Sequence, residues 1–232
     1  MRHSAIVWLG AVLSLGFGSA ADAADMPLKA PGLPPSYDWS GPYAGIVGGI
    51  AFGRSVQSDA GLLLGDGSYN VNGGVIGGTL GFNVQRGMWV FGAEGDLFWA
   101  DVNGSSDQCG ASFFAHNCGS KLKSLATLRG RLGAAFGAHG TWLAYVTGGL
   151  AGGRVEAWDD FFPASGSDTR WGWTLGGGLE TALARDWTAK LEYLYVDLGN
   201  KTMFDIVPGT PESVSFTASI VRLGINYRFM TY

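Results

Sequence analysis

Cys109, His116 and Cys118 lie close together in the polar stretch 103–120, and they are the residue types that either close a disulfide or bind a metal. Two thiols alone form one bridge around a small loop, the default for an exported chain. In the simple loop model such a ring removes about 2.5 to 3 kcal/mol of unfolded-chain entropy. A metal is the rival, because the His116 imidazole would add a third ligand. The other concentration of reactive types is a set of acids, Glu94, Asp96, Glu180 and Glu192, matched by the bases Arg129, Arg131, Lys190, Arg222 and Arg228. Their chemistry depends on the elements that carry them.

Those elements are amphipathic strands. In the last one Val221, Leu223, Ile225, Tyr227 and Phe229 share one phase of a two-residue period, while Arg222, Gly224, Asn226 and Arg228 share the other. Successive side chains of a strand point to opposite faces, so one face is apolar and the other wettable. The same pattern recurs over residues 43–54, 71–85, 89–102, 123–137, 141–156, 170–183, 188–198 and 214–229. Short turns at 86–88, 138–140 and 184–187 alternate with long connections at 55–70, 103–122, 157–169 and 199–213.

The start of the chain gives the compartment. Arg2, an apolar run over 5–17 and the Ala21-Asp22-Ala23 site predict a secretory signal peptide at 1–23, cut after Ala23 or Ala24. The run is short of the roughly 20 residues a spanning helix needs, and no later stretch is long and apolar enough for one. Residues 24–38 hold Pro27, Pro31, Pro34 and Pro35 and read as an extended periplasmic lead-in. The remainder, 39–232, is one β-rich domain. Its 39 glycines and 15% charged residues suit a thin-walled sheet rather than a thick soluble core. The net charge of −4 argues against nucleic acid.

Eight amphipathic strands with alternating short and long connections predict an all-β fold: an eight-stranded antiparallel transmembrane β-barrel with short periplasmic turns and four longer extracellular loops. Each strand covers the roughly 9 to 11 residues that a tilted crossing requires. A closed barrel also satisfies every backbone hydrogen bond inside lipid. With the apolar phase turned to lipid, these acids and bases all point inward. An arginine on the lipid face would cost about 2 to 4 kcal/mol at mid-bilayer. Glu94 and Asp96 on the third strand should therefore pair with Arg129 and Arg131 on the fourth, giving an interior ladder of ion pairs.

Aromatic residues and glycines fit the same wall. Trp39, Trp89, Trp142 and Trp187 flank the short turns and are expected to form a periplasmic interface belt, with Phe52, Trp99, Trp158, Trp171 and Trp173 as the other. A sugar-binding aromatic patch is the alternative for the second group. Gly45, Gly49, Gly92, Gly133, Gly149, Gly176 and Gly178 fall largely on the inner phase, where a narrow barrel lacks room. Gly176-Gly177-Gly178 precedes no helix and so is no phosphate cradle. Phe229 ends the apolar phase of the last strand and is the expected assembly signal, ahead of Met230-Thr231-Tyr232.

Asp38-Trp39-Ser40-Gly41-Pro42-Tyr43, Phe91-Gly92-Ala93-Glu94-Gly95-Asp96, Leu128-Arg129-Gly130-Arg131-Leu132-Gly133, Tyr145-Val146-Thr147-Gly148-Gly149-Leu150-Ala151 and Lys190-Leu191-Glu192-Tyr193-Leu194-Tyr195-Val196-Asp197 together resemble the porin-like, outer-membrane immunogenic protein family of alphaproteobacteria. The resemblance runs from Asp25 to Phe229 and implies an OmpA-type barrel without a globular periplasmic domain. It also implies an abundant surface antigen that stiffens the outer membrane of a Gram-negative bacterium, with weak pore activity. Ile46 and Val47 depart from the glycine and polar residue that relatives often carry. Haem binding has been suggested for some relatives, but no motif here carries a ligand residue across.

Two functions from different classes follow. One is a structural, surface-exposed barrel; the other is a small diffusion channel for small solutes. The expected partners are outer-membrane lipid, the barrel-assembly machinery and host or environmental surface ligands met by the loops. An enzyme is not expected: in the mature chain only His116 and His139 could serve as histidine bases, and the predicted topology puts them on opposite sides of the membrane. No cofactor is expected.

Overall fold

The computed structural model describes residues 37–59, 67–109, 116–159, 164–207 and 210–229, with backbone alone at the hairpin ends 57–59, 67–68, 107–109, 116–118, 157–159, 164–166, 201–207 and 210–214. They form eight strands: β1 (Gly41–Asp59), β2 (Gly67–Arg86), β3 (Trp89–Cys109), β4 (His116–Phe136), β5 (Trp142–Asp159), β6 (Ala164–Ala182), β7 (Trp187–Val207) and β8 (Thr210–Arg228). Each strand pairs antiparallel with its sequence neighbours, and β8 returns to β1. Ile46 faces Ile225 and Ile50 faces Val221 across that closing seam. The barrel has no free edge.

The period-two pattern decides which face is which. Ile46, Ile76, Leu97, Leu128, Leu150 and Leu223 are all more than half exposed on the outer wall. In water such a band would be costly; in hydrocarbon it is the stable arrangement. The short turns obey local chemistry. Arg86 pairs with Trp89 around Gly87-Met88, and Gly87 has φ 61°, the left-handed first position of a two-residue turn that matches strand twist. The β4–β5 turn uses Gly137 and Gly140 at positive φ, with His139 held at φ 60° between them.

The strands are longer than a bilayer crossing. They run from 18 residues in β5 to 21 in β3, β4 and β7. Much of 55–70, 103–122, 157–169 and 199–213, expected as loops, therefore continues the ladder. The reason is that the outer wall turns polar where it leaves lipid, which erases the alternation signal. At the borders of those stretches the inner phase buries apolar groups: Val71, Val102, Leu122, Val155, Leu198 and Phe216 have almost no exposed surface. The predicted signal peptide and most of the lead-in lie outside the described residues, as do 230–232.

Candidate functional site

Inward residues fill the lumen in three layers. The central layer is ionic. Glu94 and Asp96 come from β3, Arg129 and Arg131 from β4, Glu180 from β6, Lys190 and Glu192 from β7 and Arg222 from β8, all with under a tenth of their surface exposed. Four acids thus meet four bases, and the layer is neutral. Arg129 is the hub. Its guanidinium contacts Glu94 and Asp96 and reaches Glu192 at 2.6 Å. Arg222 holds Glu192 through Nε at 2.7 Å and Asp96 at 3.2 Å. Lys190 donates to Glu94 at 2.7 Å.

The pairing differs from a ladder between neighbouring strands. Arg131 turns away from Glu94 and Asp96 and pairs with Glu180 on β6, with its guanidinium 3.6 Å from the centre of the Tyr145 ring. Barrel closure sets non-neighbouring strands face to face across a narrow lumen, so a long arginine reaches a carboxylate opposite as readily as one beside it. Glycines make room for this. A Cβ on Gly149 would stand 2.1 Å from Leu128 O and 2.8 Å from Arg129 Cα. Neutral groups complete the layer: Tyr43 donates to Glu94 at 2.8 Å, Thr127 to Asp96 at 2.8 Å and Asn226 to Glu180 at 2.9 Å. Asn226 was placed on the wettable phase of the last strand; Tyr43 and Thr127 were given no role in the sequence, although both lie on the inward phase. Buried charges require such complete pairing, since an unpaired one is strongly destabilising.

Toward the long hairpins the inward phase becomes apolar. Val47, Val75, Phe98, Leu125, Leu194 and Ile220 belong to one buried cluster. Arg222 stands at its border, 4.8 Å from the Phe98 ring centre. The inward acids and bases expected from the sequence, Arg228 apart, thus occupy only the middle of the barrel. Arg170, also missed in the sequence, is buried on the inward phase of β6 at this end. Stretches such as Phe98-Trp99-Ala100, apolar on both phases, were the available signal.

The short-turn end is closed by residues preceding β1. Trp39 is 1% exposed and packs with Val90, Leu143 and Tyr145. Its backbone N–H donates to Gln85 Oε1 at 2.7 Å and its indole to Gly140 O at 2.9 Å, while Tyr37 N–H donates to His139 O at 2.7 Å. Trp39 is thus not part of the periplasmic belt. It precedes the ladder, so no strand phase holds its ring on the outer wall, and burial of a large aromatic is favourable once its N–H is satisfied. Arg228 also stands apart from the ionic layer. It donates to Ser40 O at 3.0 Å and lies 4.7 Å from the Tyr37 ring centre. Burial pushes the Tyr37 phenol above its ordinary pKa, against the opposing pull of Arg228.

Of the other predicted aromatics, those whose side chains are described line the outer wall. Trp89, Trp142 and Trp187 are about half exposed at the short-turn end, and Phe52, Trp99, Trp171 and Trp173 are exposed toward the long hairpins. Phe229 is half exposed, its ring 5.3 Å from that of Tyr227, and its N–H donates to Pro42 O at 2.9 Å. The side chains of Cys109, His116, Cys118 and Trp158 lie outside the described residues, so the disulfide and its metal rival fall there too. Among the described residues no group of three His, Cys, Asp or Glu side chains could hold a metal ion. His139 is an exposed turn residue.

Comparison with known proteins matches this geometry. The family model described as outer membrane protein beta-barrel domain covers residues 10–229. The 31 kDa outer-membrane immunogenic protein of Brucella melitensis biotype 1 is 35% identical over 92% of this chain and 95% of its own length. The 22 kDa outer membrane protein of Rhizobium leguminosarum bv. viciae is 31% identical over 84% of this chain and 80% of its own. Among solved structures, the outer membrane protein OprG of Pseudomonas aeruginosa has a TM-score of 0.48 at 13% identity, covering 82% of this chain and 98% of that one.

Proposed function

Since the chain belongs to the outer membrane protein β-barrel family and resides in the outer membrane, we propose that it is a closed, non-enzymatic barrel that anchors in lipid and presents its long hairpins at the cell surface. The observation that carries this reading is the crossing from Lys190 on β7 to Glu94 on β3 at 2.7 Å, which spans the lumen beneath an apolar layer. An eight-stranded barrel is just wide enough to be filled by side chains. Stiff anchoring and a hairpin surface open to antibodies or host and environmental ligands are what such a body offers. The similarity to Brucella proteins named as outer-membrane immunogenic proteins supports a surface-antigen role.

A diffusion channel is the competing reading, and it needs a continuous aqueous path. Both the ionic layer and the apolar layer stand across that path. The test is planar-bilayer recording of the refolded full chain. The expected result is no stable conductance steps; steady ohmic channels that vanish on Glu94→Gln substitution would overturn the closed-barrel reading. The assembly route is part of the same proposal: Phe229, at the outer-wall end of the closing strand, is the aromatic that the barrel-assembly machinery reads.

A further inference from the structure

Above the long-hairpin aromatics the outer wall carries a compact group of charges that neither lumen filling nor lipid anchoring explains. Lys121 and Lys123 on β4, Arg154 and Glu156 on β5 and Asp101 on β3 surround an open recess of about 600 Å³ floored by Trp99. Irregular pairing makes the group. The register shifts between Trp99 and Val102 on β3 and between Leu122 and Ser124 on β4, and Leu122 stays buried while Lys121 and Lys123 emerge on the outer wall. Bulges of this kind re-aim side chains.

Height on the wall is set by the tryptophans. Trp99 lies one outward position below Asp101 on β3, and Trp171, paired with Gly152, lies one outward position below Arg154. Both rings are more than two-thirds exposed. Exposed tryptophans on a barrel wall mark the border between hydrocarbon and headgroups. The cluster is therefore at headgroup depth in the leaflet on the long-hairpin side, the outer leaflet.

Three cations face two carboxylates. Lys121 pairs with Asp101 at 2.8 Å and Lys123 with Glu156 at 2.7 Å, both at the surface. Arg154 donates to the Ser167 hydroxyl at 3.3 Å, a neutral acceptor. Surface pairs of this kind are weak, and each ammonium keeps donors to spare. Cations suited to phosphate thus stand beside carboxylates suited to hydroxyl groups.

We infer that this recess binds the phosphorylated, hydroxyl-bearing headgroup of an outer-leaflet glycolipid, with Lys121, Lys123 and Arg154 on the phosphate and Asp101 and Glu156 on the sugar hydroxyls. The bulged, mixed-charge wall is a specific lipid contact, not only a hydrated rim. It is independent of whether the lumen conducts.

Native mass spectrometry of the refolded full chain in detergent tests it, with lipid A, phosphatidylglycerol and sodium phosphate as separate probes. The wild-type chain is expected to retain lipid A in preference to phosphatidylglycerol. The triple variant Lys121→Gln, Lys123→Gln, Arg154→Gln should retain at least about tenfold less. Arg86→Gln, at the opposite rim, should match wild type. Glu156→Gln should lower lipid A retention and raise that of phosphatidylglycerol. Heat-shifted gel mobility checks folding, and if the triple variant fails to fold, Arg154→Gln alone should still lower retention. Undiminished lipid A on the substituted chain, equal wild-type retention of both lipids, or displacement of lipid A by sodium phosphate would overturn the assignment.

Discussion

Lys190 on β7 and Glu94 on β3 meet at 2.7 Å although 96 residues separate them and their strands share no hydrogen-bonded ladder. A contact of that kind exists only if the barrel is narrow enough for opposite walls to touch. It is one spoke of an ionic layer in which Arg129, shared among Glu94, Asp96 and Glu192, is the hub. The energetic consequence is that the layer acts as a unit.

Removing the hub leaves three buried carboxylates short of a partner. Arg129→Leu should destabilise the barrel by about 3 to 5 kcal/mol, because loss of one member of a buried charged group exposes the full desolvation cost of the rest. Arg129→Lys should fall between it and wild type, since one ammonium cannot reproduce the fork that reaches several carboxylates. Urea unfolding in lipid vesicles, followed by gel mobility, measures both. Equal stability of wild type and Arg129→Leu would refute the hub.

Trp39 offers a test at the other end of the lumen. Trp39→Ala should cost about 3 to 5 kcal/mol through the cavity it leaves. Trp39→Phe keeps most of the packing and loses the indole bond to Gly140 O, a loss of about 1 kcal/mol. If Trp39 belonged to a lipid-facing belt instead, both variants would unfold close to wild type.

Inward and outward glycines should respond oppositely to one added methyl. A Cβ at Gly149 meets Leu128 O and Arg129 Cα within 3 Å, so Gly149→Ala should sharply reduce the folded fraction on refolding. A Cβ at Gly74 has no heavy atom within 4 Å, and Gly74→Ala should refold as wild type or better. The fraction of heat-shifted band on a gel reads both.

Phe229 sits where the outer-wall phase of β8 ends, its ring edge-to-face with that of Tyr227. Phe229→Ala should slow assembly in cells far more than it destabilises the refolded barrel, whose loss is limited to the water-to-lipid transfer of one ring, at most about 1.5 to 3 kcal/mol. Pulse-chase folding in cells set against unfolding in vesicles separates the two. A stability loss that accounts for the whole assembly defect would make Phe229 a packing residue.

Much of the fold was legible because lipid is a strict solvent. Leu128, Leu132 and Phe136 alternate with Arg129 and Arg131, and only one assignment of faces keeps the guanidiniums out of hydrocarbon. Legibility failed where that solvent ended. Beyond Trp99 the outer wall is polar and the lumen apolar, with Phe98 and Val102 inside and Asp101 outside, so the pattern no longer resembled a membrane strand although the ladder continued.

The sequence by itself determined the strand count, the antiparallel order and the inward face of Glu94, Asp96, Arg129 and Arg222, since a period of two assigns each residue to a wall without any knowledge of its partners. Tertiary structure alone decided who meets whom. Closure and strand tilt bring Glu180 to Arg131 and Lys190 to Glu94, turn Trp39 into the lumen and, through two bulges, gather Lys121, Lys123 and Arg154 on the outside. Those contacts join residues far apart in the chain, and their distances follow from the geometry of the whole barrel rather than from any local spacing.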